Sequence, residues 1–422
     1  MNSKIIAIAV VVIVAVAGAG VFLMLGNNDA PATEDETRLT IYGNANLDDS
    51  IDNDDVAYIE AVINGSGKKT AYCDANQDGK VDSEDVEIVK KFISKTPCKM
   101  YYDDIKTGVA SVDFPIDSFL GIHQNVLIPL CAIGAQKYMH GYVLSEAGVT
   151  GATMLSGLFS SEKNVNTSYN LVDFEKFSNL SVKPKYIITY NTSLSNESKI
   201  LRSGTEVIHL PFSKIDDMSS ATLTAGYMLG LESGAKEYVG FVDELIKTVQ
   251  KKLDDNNVTR RTVMCAYMTD CIDNKDGIHS TAAIAAGGDP VTDWTGAYRE
   301  FSKGDEWLYE YNPEFLFYCT AWGYTDTTLN LHDKYLDWGD YYNNLSVYKA
   351  GKFYVVNSIM PPHLISAYMA QLMYPDVFGE HFADELNNDF VQKFFPGFYA
   401  ENSYDAANYN YFITPTLAGV TP

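Results

Sequence analysis

The sequence predicts an α/β protein: two α/β lobes bridged by one long helix, preceded by a small all-α module and an N-terminal transmembrane segment. Three observations carry this. From Gly108 onward, short β-rich runs alternate with amphipathic stretches, the pattern of α/β architecture. Near the middle, SGAKEYVGFVDELIKTVQKKLDD (233–255) places Tyr238, Phe241, Val242, Leu245, Ile246, Val249 and Leu253 on one helical stripe. Ahead of both, GNANLDDSIDNDDVAYIEAVI from Gly43 and CDANQDGKVDSEDVEIVKKFI from Cys73 repeat one pattern at an offset of 30 residues.

The amino terminus comes first in chain order. Ile5 to Leu25 is an uninterrupted apolar run of 21 residues, enough to span roughly 30 Å of hydrocarbon as a helix. Secretory signals carry an apolar stretch of about 7–15 residues, so residues 1–28 read as a retained anchor rather than a cleaved signal. Lys4 before the run and acidic residues after it set the amino terminus inside. The payload is then expected on the extracellular face of the cell membrane, held by a single-pass anchor. Residues 29–38 are polar and acidic, the composition of a linker.

Charge narrows the partners. With 31 Lys+Arg against 55 Asp+Glu the formal net charge is −24, which repels phosphate backbones and anionic headgroups and excludes nucleic acid as an expected partner. Seven Asn-X-Ser/Thr patterns, at Asn64, Asn166, Asn179, Asn191, Asn196, Asn257 and Asn344, agree with export. Of the six cysteines, Cys73 and Cys98 flank one short helical unit and are placed to staple it in an oxidising setting, with Cys265 and Cys271 a second pair to consider. Cys131 and Cys319 read as buried thiols.

Each repeat carries oxygen-bearing side chains at loop positions one, three, five, nine and twelve, an apolar residue at eight, and then an amphipathic helix. Such spacing lets one loop wrap a hard cation, with position seven giving its backbone carbonyl, and the expected metal is calcium at two sites. The first loop offers Asn44, Asn46, Asp48, Ser50 through its carbonyl, Asp52 and Asp55. The second offers Asp74, Asn76, Asp78, Lys80 through its carbonyl, Asp82 and Asp85. This tandem resembles the type I dockerin module, a small calcium-dependent domain that plugs into a cohesin of another protein. The resemblance covers residues 39–98 and implies cohesin contacts at loop positions ten and eleven, here Asn53, Asp54, Ser83 and Glu84. Two departures are visible: Asn44 opens the first loop where Asp is usual, and Asp49 replaces the Gly at position six, where a left-handed backbone is expected.

In residues 99–422 the strand candidates are GVASVDF, KYIITY, EVIHLPF, TVMCAYM, EFLFYC and KFYVVN. The helix candidates include NVLIPLCAIGAQKYM, ATLTAGYMLGLE and AYMAQLMY. The long helix divides a first lobe of about 104–232 from a second of about 258–400. Several segments, in order, resemble the substrate-binding proteins of ABC importers for iron chelates, haem and corrinoids: FEKFSNLSVKPKYIITYN, IAAGGDP, DEWLYEYNPEFLFY, KAGKFYVVN and AQLMYPDVF. That family carries one acidic residue on the crest of each lobe to dock the permease. The match in the second lobe is Glu306, seven residues before Pro313. In the first it is Glu175, nine residues before Pro184, which leaves Asp173 as an alternative.

Ligands of two-lobed α/β proteins sit against loops at the carboxyl ends of strands. That rule nominates Ile122, His123, Gln124, Tyr190, Asn191 and Phe212 in the first lobe, and Tyr267, Met268, Trp322, Tyr324 and Met360 in the second. An aromatic content of 13%, with 29 Tyr, suits a large flat or apolar ligand such as an iron chelate, corrinoid or haem, and a neutral His123 is a candidate axial ligand. Asp270 and His279 fall in TDCIDNKDGIHS, which reads as a solvated surface loop. The sequence contains no GxSxG, P-loop, HExxH or CxxC motif, so no enzyme is expected. The sequence thus points to a surface-anchored solute receptor that delivers its ligand to an ABC permease and is tethered to a cohesin-bearing partner. A dockerin-borne enzyme acting on polysaccharide, or a cell-surface assembly protein, is the alternative.

Overall fold

The computed structural model describes residues 37–144, 154–155, 158–267, 270–294, 296 and 298–421. The anchor of residues 1–28 and Met268 lie outside them. Among the described residues no helix is long and apolar enough to cross a membrane.

The repeats fold as expected of loop–helix units, into α1 (Asn53–Ile63) and α2 (Ser83–Ile93). Each helix starts on a reciprocal cap. Asp52 accepts from Asp54 N while Asp55 accepts from Asp52 N, and Asp82 and Asp85 do the same in the second copy. Loop position four carries the left-handed residue in both, Leu47 at φ 65° and Gln77 at φ 57°. Position six differs between copies: Gly79 is left-handed at φ 92°, whereas Asp49 is not among the positive-φ residues and turns its carboxylate to Arg38. The expectation of a left-handed Asp49 is therefore corrected, because an ion pair outside the loop holds that residue instead.

A hairpin of which only the second strand, GVASVDF, was expected joins this module to the rest. β1 (Cys98–Asp104) pairs antiparallel with β2 (Gly108–Phe114), and Ile41 bridges to Tyr102. Leu39, Ile41, Ile51, Val89 and Phe92 are buried in one continuous core with Met100, Phe114, Ile133 and Tyr238. The module is thus packed on the large domain rather than hung from it. Asp104 fixes the hairpin tip. Burial works against its charge, yet hydrogen bonds from His209 Nδ1 at 3.2 Å and His209 N at 2.8 Å, and from the Lys106 and Thr107 amides, hold its carboxyl well below the usual range.

Among the described residues the first lobe is a five-stranded parallel sheet in the order β5-β4-β3-β6-β7, from β3 (Phe119–Ile122), β4 (Met139–Val143), β5 (Asn164–Asn166), β6 (Tyr186–Thr189) and β7 (Glu206–His209). Helix α3 (Gln124–Ala132) leaves β3 and stops before Gly134, whose φ of 88° ends it well short of the predicted Met139. Helix α4 (Ile215–Met228) then turns into the linking helix α5 (Glu232–Asp255), 24 residues and about 36 Å long. Gly226 lets α4 and α5 meet: a Cβ there would lie 2.4 Å from Ala235 Cβ. Tyr238, Val242, Leu245, Val249 and Leu253 form the buried stripe of α5, with Phe241 and Ile246 half-buried beside it.

The second lobe is built on β8 (Arg261–Tyr267), β9 (Cys271–Asp273), β10 (Gly288–Pro290), β11 (Tyr298–Glu300), β12 (Phe315–Thr320), β13 (Phe353–Asn357) and β14 (Phe412–Ile413). The sheet runs β11-β9-β8-β12-β13-β14, with β10 beside the start of β8. β8, β10, β12 and β13 are parallel. Helix α6 (Ile278–Ala285) connects β9 to β10, and α7 (Pro362–Met373) follows β13.

Candidate functional site

At the carboxyl end of β3, His123 adopts φ 84° and caps α3, its Nδ1 accepting from Asn125 N at 3.1 Å. The ring lies edge-on to Tyr169 at 4.0 Å and to Tyr190 at 5.1 Å. Burial pushes its pKa down to about 3, so the imidazole is neutral at physiological pH. With Nδ1 accepting, the single proton sits on Nε2. In this arrangement His123 presents an Nε2–H hydrogen-bond donor.

Tyr169 ties the neighbouring residues together. Its hydroxyl donates to Gln124 Oε1 at 2.7 Å and its carbonyl accepts from Asn191 Nδ2 at 3.2 Å, while Asn191 N donates to Thr189 Oγ1 at 3.0 Å. His123, Gln124, Tyr190 and Asn191 are thus brought together as nominated. Tyr169 was missed because β5 was missed; the strand-end rule would otherwise have found it. Gln124 also lines an apolar cavity with Ile128, Leu144, Met154, Leu155, Tyr324 and Ile359, joining the two lobes. Its volume is about 10 Å³, room for no more than one water molecule, so a chelate-sized guest requires the lobes to part.

The second-lobe nominations divide. Tyr324 faces the cavity, with its hydroxyl bonded to the Asn387 side chain and its ring against Tyr404 and Tyr411. Tyr267 ends β8 beside His279 at 5.7 Å and Tyr298 at 5.8 Å. Trp322 does not reach the cleft: its indole donates to Asn410 O at 2.9 Å and stacks on Trp338 inside the second-lobe core. Phe212 and Met360 are likewise buried core side chains. Apolar residues at strand ends turned inward here, which position alone did not reveal. His279 is held by Asp273 rather than solvated as expected, Asp273 Oδ2 accepting from its N at 2.8 Å and its Nδ1 at 3.2 Å.

On the lobe surfaces Glu175 is exposed in the first turn of the short helix Phe174–Ser178. Asp173 caps that helix by accepting from Glu175 N and Lys176 N, so it is already engaged by backbone. Glu306, also exposed, opens the turn Glu306–Tyr309 next to Asp305, which accepts from Ser302 N.

In the calcium-type loops, Asn44 donates through Nδ2 to Leu39 O and Asp48 O and to Thr37 Oγ1, while its buried Oδ1 has no hydrogen-bond partner. Burial pushes the Asp55 carboxyl up to about 7, with Asp48 and Asp52 nearby adding to the rise, and Asp85 is raised for the same first reason. Asp74 accepts from Asp78 N and Gly79 N, and Asp78 from Lys80 N. An orphaned acceptor and reluctant carboxylates are what a cation relieves, so these residues fit calcium. Among the described residues no three His, Cys, Asp or Glu side chains converge on one point; the loops close on backbone amides. Asn53, Asp54, Ser83 and Glu84 are exposed. The expected Cys73–Cys98 bridge is corrected, since all six cysteines are free: Cys73 Sγ packs against Thr70 Oγ1 at 3.2 Å, while Cys98 pairs across the hairpin with Phe114.

Comparison with known proteins separates the two parts. Residues 42–94 match the dockerin type I domain. No curated protein matches the chain in sequence. Among solved structures, Helicobacter pylori CeuE in its Ni-His complex superposes with TM-score 0.57 at 13% identity, covering 72% of this chain and 99% of that one. The molybdate periplasmic binding protein MolA of Haemophilus influenzae gives 0.54 at 17%, covering 70% and 98%. An ABC transporter solute-binding protein from Sulfurospirillum deleyianum gives 0.51 at 17%, covering 70% and 95%. The chain therefore carries a dockerin type I domain at residues 42–94, packed on a domain with the fold of ABC-transporter solute-binding proteins.

Proposed function

We propose that the chain is the extracytoplasmic receptor of an ABC importer, capturing a ferric siderophore or a related iron chelate, corrinoid or haem between its lobes and presenting it to a permease. The observation that carries this is the placement of His123, Gln124, Tyr169, Tyr190 and Asn191 at carboxyl strand ends of one lobe, with Tyr324 of the other lobe on the same cavity as Gln124. Its chemistry is recognition: a neutral imidazole donor, amides and phenols for polar groups, and apolar walls for the body of the ligand. Glu175 and Glu306 supply one exposed carboxylate per lobe to set register on a basic permease surface.

In this reading each dockerin loop holds one calcium through the two ligand sets named above. The first site is the less charged, with Asn44 where the second has Asp74. The dockerin attaches the receptor to a cohesin-bearing partner through Asn53, Asp54, Ser83 and Glu84, and the apolar run Ile5 to Leu25 anchors it at the outer face of the membrane. The test is titration of the full chain with ferric siderophores, haemin and cobalamin, read by tryptophan quenching and visible absorption. Saturable binding of one member supports the receptor; binding of none, with hydrolysis of a glycan panel, would favour the dockerin-borne enzyme.

A further inference from the structure

Behind the second-lobe wall of the cavity runs a buried chain of polar side chains that ends at the surface. Helix α8 (Phe382–Phe394) packs on α7 and brings Asp384 and Asn387 to Tyr368. Asp384 Oδ1 accepts from the Tyr368 hydroxyl at 2.8 Å, and its Oδ2 accepts from His381 Nδ1 at 3.1 Å. Asn387 Nδ2 donates to the Tyr368 oxygen at 3.2 Å, and Asn387 Oδ1 accepts from the hydroxyl of Tyr324. Tyr324, Tyr368 and Asn387 are at most 1% exposed.

The direction of each bond follows from the carboxylate. A carboxylate only accepts, so the Tyr368 proton points to Asp384. The Tyr368 oxygen must then receive its other bond, which turns the NH2 of Asn387 toward it and the amide oxygen toward Tyr324. Tyr324 therefore commits its one proton to Asn387. In such a chain each member polarises the next, which holds them more firmly than separate bonds would. The support is fixed as well: Gln371 of α7 accepts from Ala383 N at 2.9 Å and donates to Glu380 O at 2.8 Å. Phe390 and Phe394 seat α8 against Tyr238 and Phe241 of the linking helix. Asn357 braces the neighbouring loops, its Oδ1 accepting from Trp322 N and from Ile359 N, each at 3.2 Å. Tyr324 and Ile359 are the second-lobe residues that line the cavity.

Resting on the receptor reading above, we infer that Asn387 is a positioning residue for capture: backed by Tyr368 and Asp384, it fixes the Tyr324 ring as a preformed wall before the solute arrives. Preorganisation of this kind raises affinity because no side chain has to be ordered on binding. It also decides what the wall recognises. The Tyr324 hydroxyl is engaged by Asn387, and burial holds its pKa well above the ordinary phenol value, so this wall offers a neutral ring and no phenolate. The solute accordingly turns an apolar or aromatic part of its body, not its metal, toward Tyr324.

The test measures the affinity of the full chain for haemin, cobalamin and a ferric trihydroxamate by tryptophan quenching, alongside Asn387→Leu, Tyr368→Phe, Tyr324→Phe and Asp384→Asn. For the compound that the wild type binds best, Asn387→Leu and Tyr368→Phe should each weaken binding about fivefold. The double variant Tyr324→Phe/Tyr368→Phe should lose less than the product of the two single losses, because both hydroxyls belong to one chain. Asp384→Asn keeps an acceptor for Tyr368 and should bind within about twofold of wild type. Should Asn387→Leu fail to fold, Tyr368→Phe, which deletes a single oxygen, decides. A lowered unfolding midpoint with unchanged affinity in these variants makes the chain core packing only; it overturns the inference and leaves the receptor standing. A loss in Asp384→Asn as large as in Tyr368→Phe does the same. Binding of no compound by the wild type overturns both.

Discussion

Ile51, at position eight of the first dockerin loop, donates its buried backbone N–H to the hydroxyl oxygen of Tyr227 at 3.0 Å. Tyr227 belongs to α4, so the bond joins a calcium-type loop to the helix that leads into the linking helix. Lys236 of α5 reinforces it by donating to Ser50 Oγ at 2.6 Å, and Arg38 bridges Asp49 of the loop and Asp243 of α5. Whatever orders this loop is therefore felt by α4 and α5, and the coupling is reciprocal. Tyr227→Phe removes the acceptor and strands the Ile51 amide, which costs roughly 1–3 kcal/mol. Denaturant unfolding of the full chain should register that loss, and the calcium titration midpoint should move to higher concentration.

Proton linkage in the loops gives a second expectation. Asp55 has a folded pKa of about 7 against an unfolded value of about 3.9. Between these values the folded state holds more protons than the unfolded, so without calcium stability falls as pH rises through the window. Asp216, raised to about 6 by desolvation, acts with the same sign, so the readout must be local: amide exchange of residues 44–55 with chelator at about pH 5 and about pH 7. Exchange beyond the intrinsic pH effect should be faster at the higher pH. Calcium, which needs the ionised carboxylate, should abolish the difference. Equal protection factors at both pH values with chelator would count against this account.

Charge reversal at the lobe crests separates docking from capture. Glu175→Lys and Glu306→Lys alter exposed residues, so stability should stay within about 0.5 kcal/mol and ligand affinity should be unchanged. Uptake through the cognate permease should slow severalfold for each and further for the pair. A fall in ligand affinity would assign the residue to the cleft instead.

Tyr169→Phe tests the hydroxyl that braces Gln124. Loss of one hydrogen bond of about 1 kcal/mol should weaken ligand binding roughly fivefold with the fold intact, as measured by calorimetric titration.

The linking helix was legible because its apolar stripe repeats at the helical period, and the predicted 233–255 differs from Glu232–Asp255 by one residue. The calcium-type loops were legible because oxygen donors recur at fixed spacing. Strand β3, FLGI, is buried at every position and shows no alternation, so the anchor point of His123 was found by position and not by pattern. Strand β1 has tyrosines on both faces, which conceals its alternation. The packing of the module on the large domain rests on pairs such as Arg38 with Asp243, 205 residues apart, which periodicity cannot register. The Asp273–His279 contact depends on a turn that brings together residues six apart, where a linear reading shows only a polar loop.

The central claim is that one solute is gripped by both lobes, and hydrogen exchange of the full chain with each saturating chelate, haemin and cobalamin tests it most directly. The account predicts that one compound slows exchange both in residues 119–128 with 186–191 and in residues 261–267 with 278–285, while residues 42–94 respond to calcium alone. Protection confined to one lobe, or none with any compound, would contradict it.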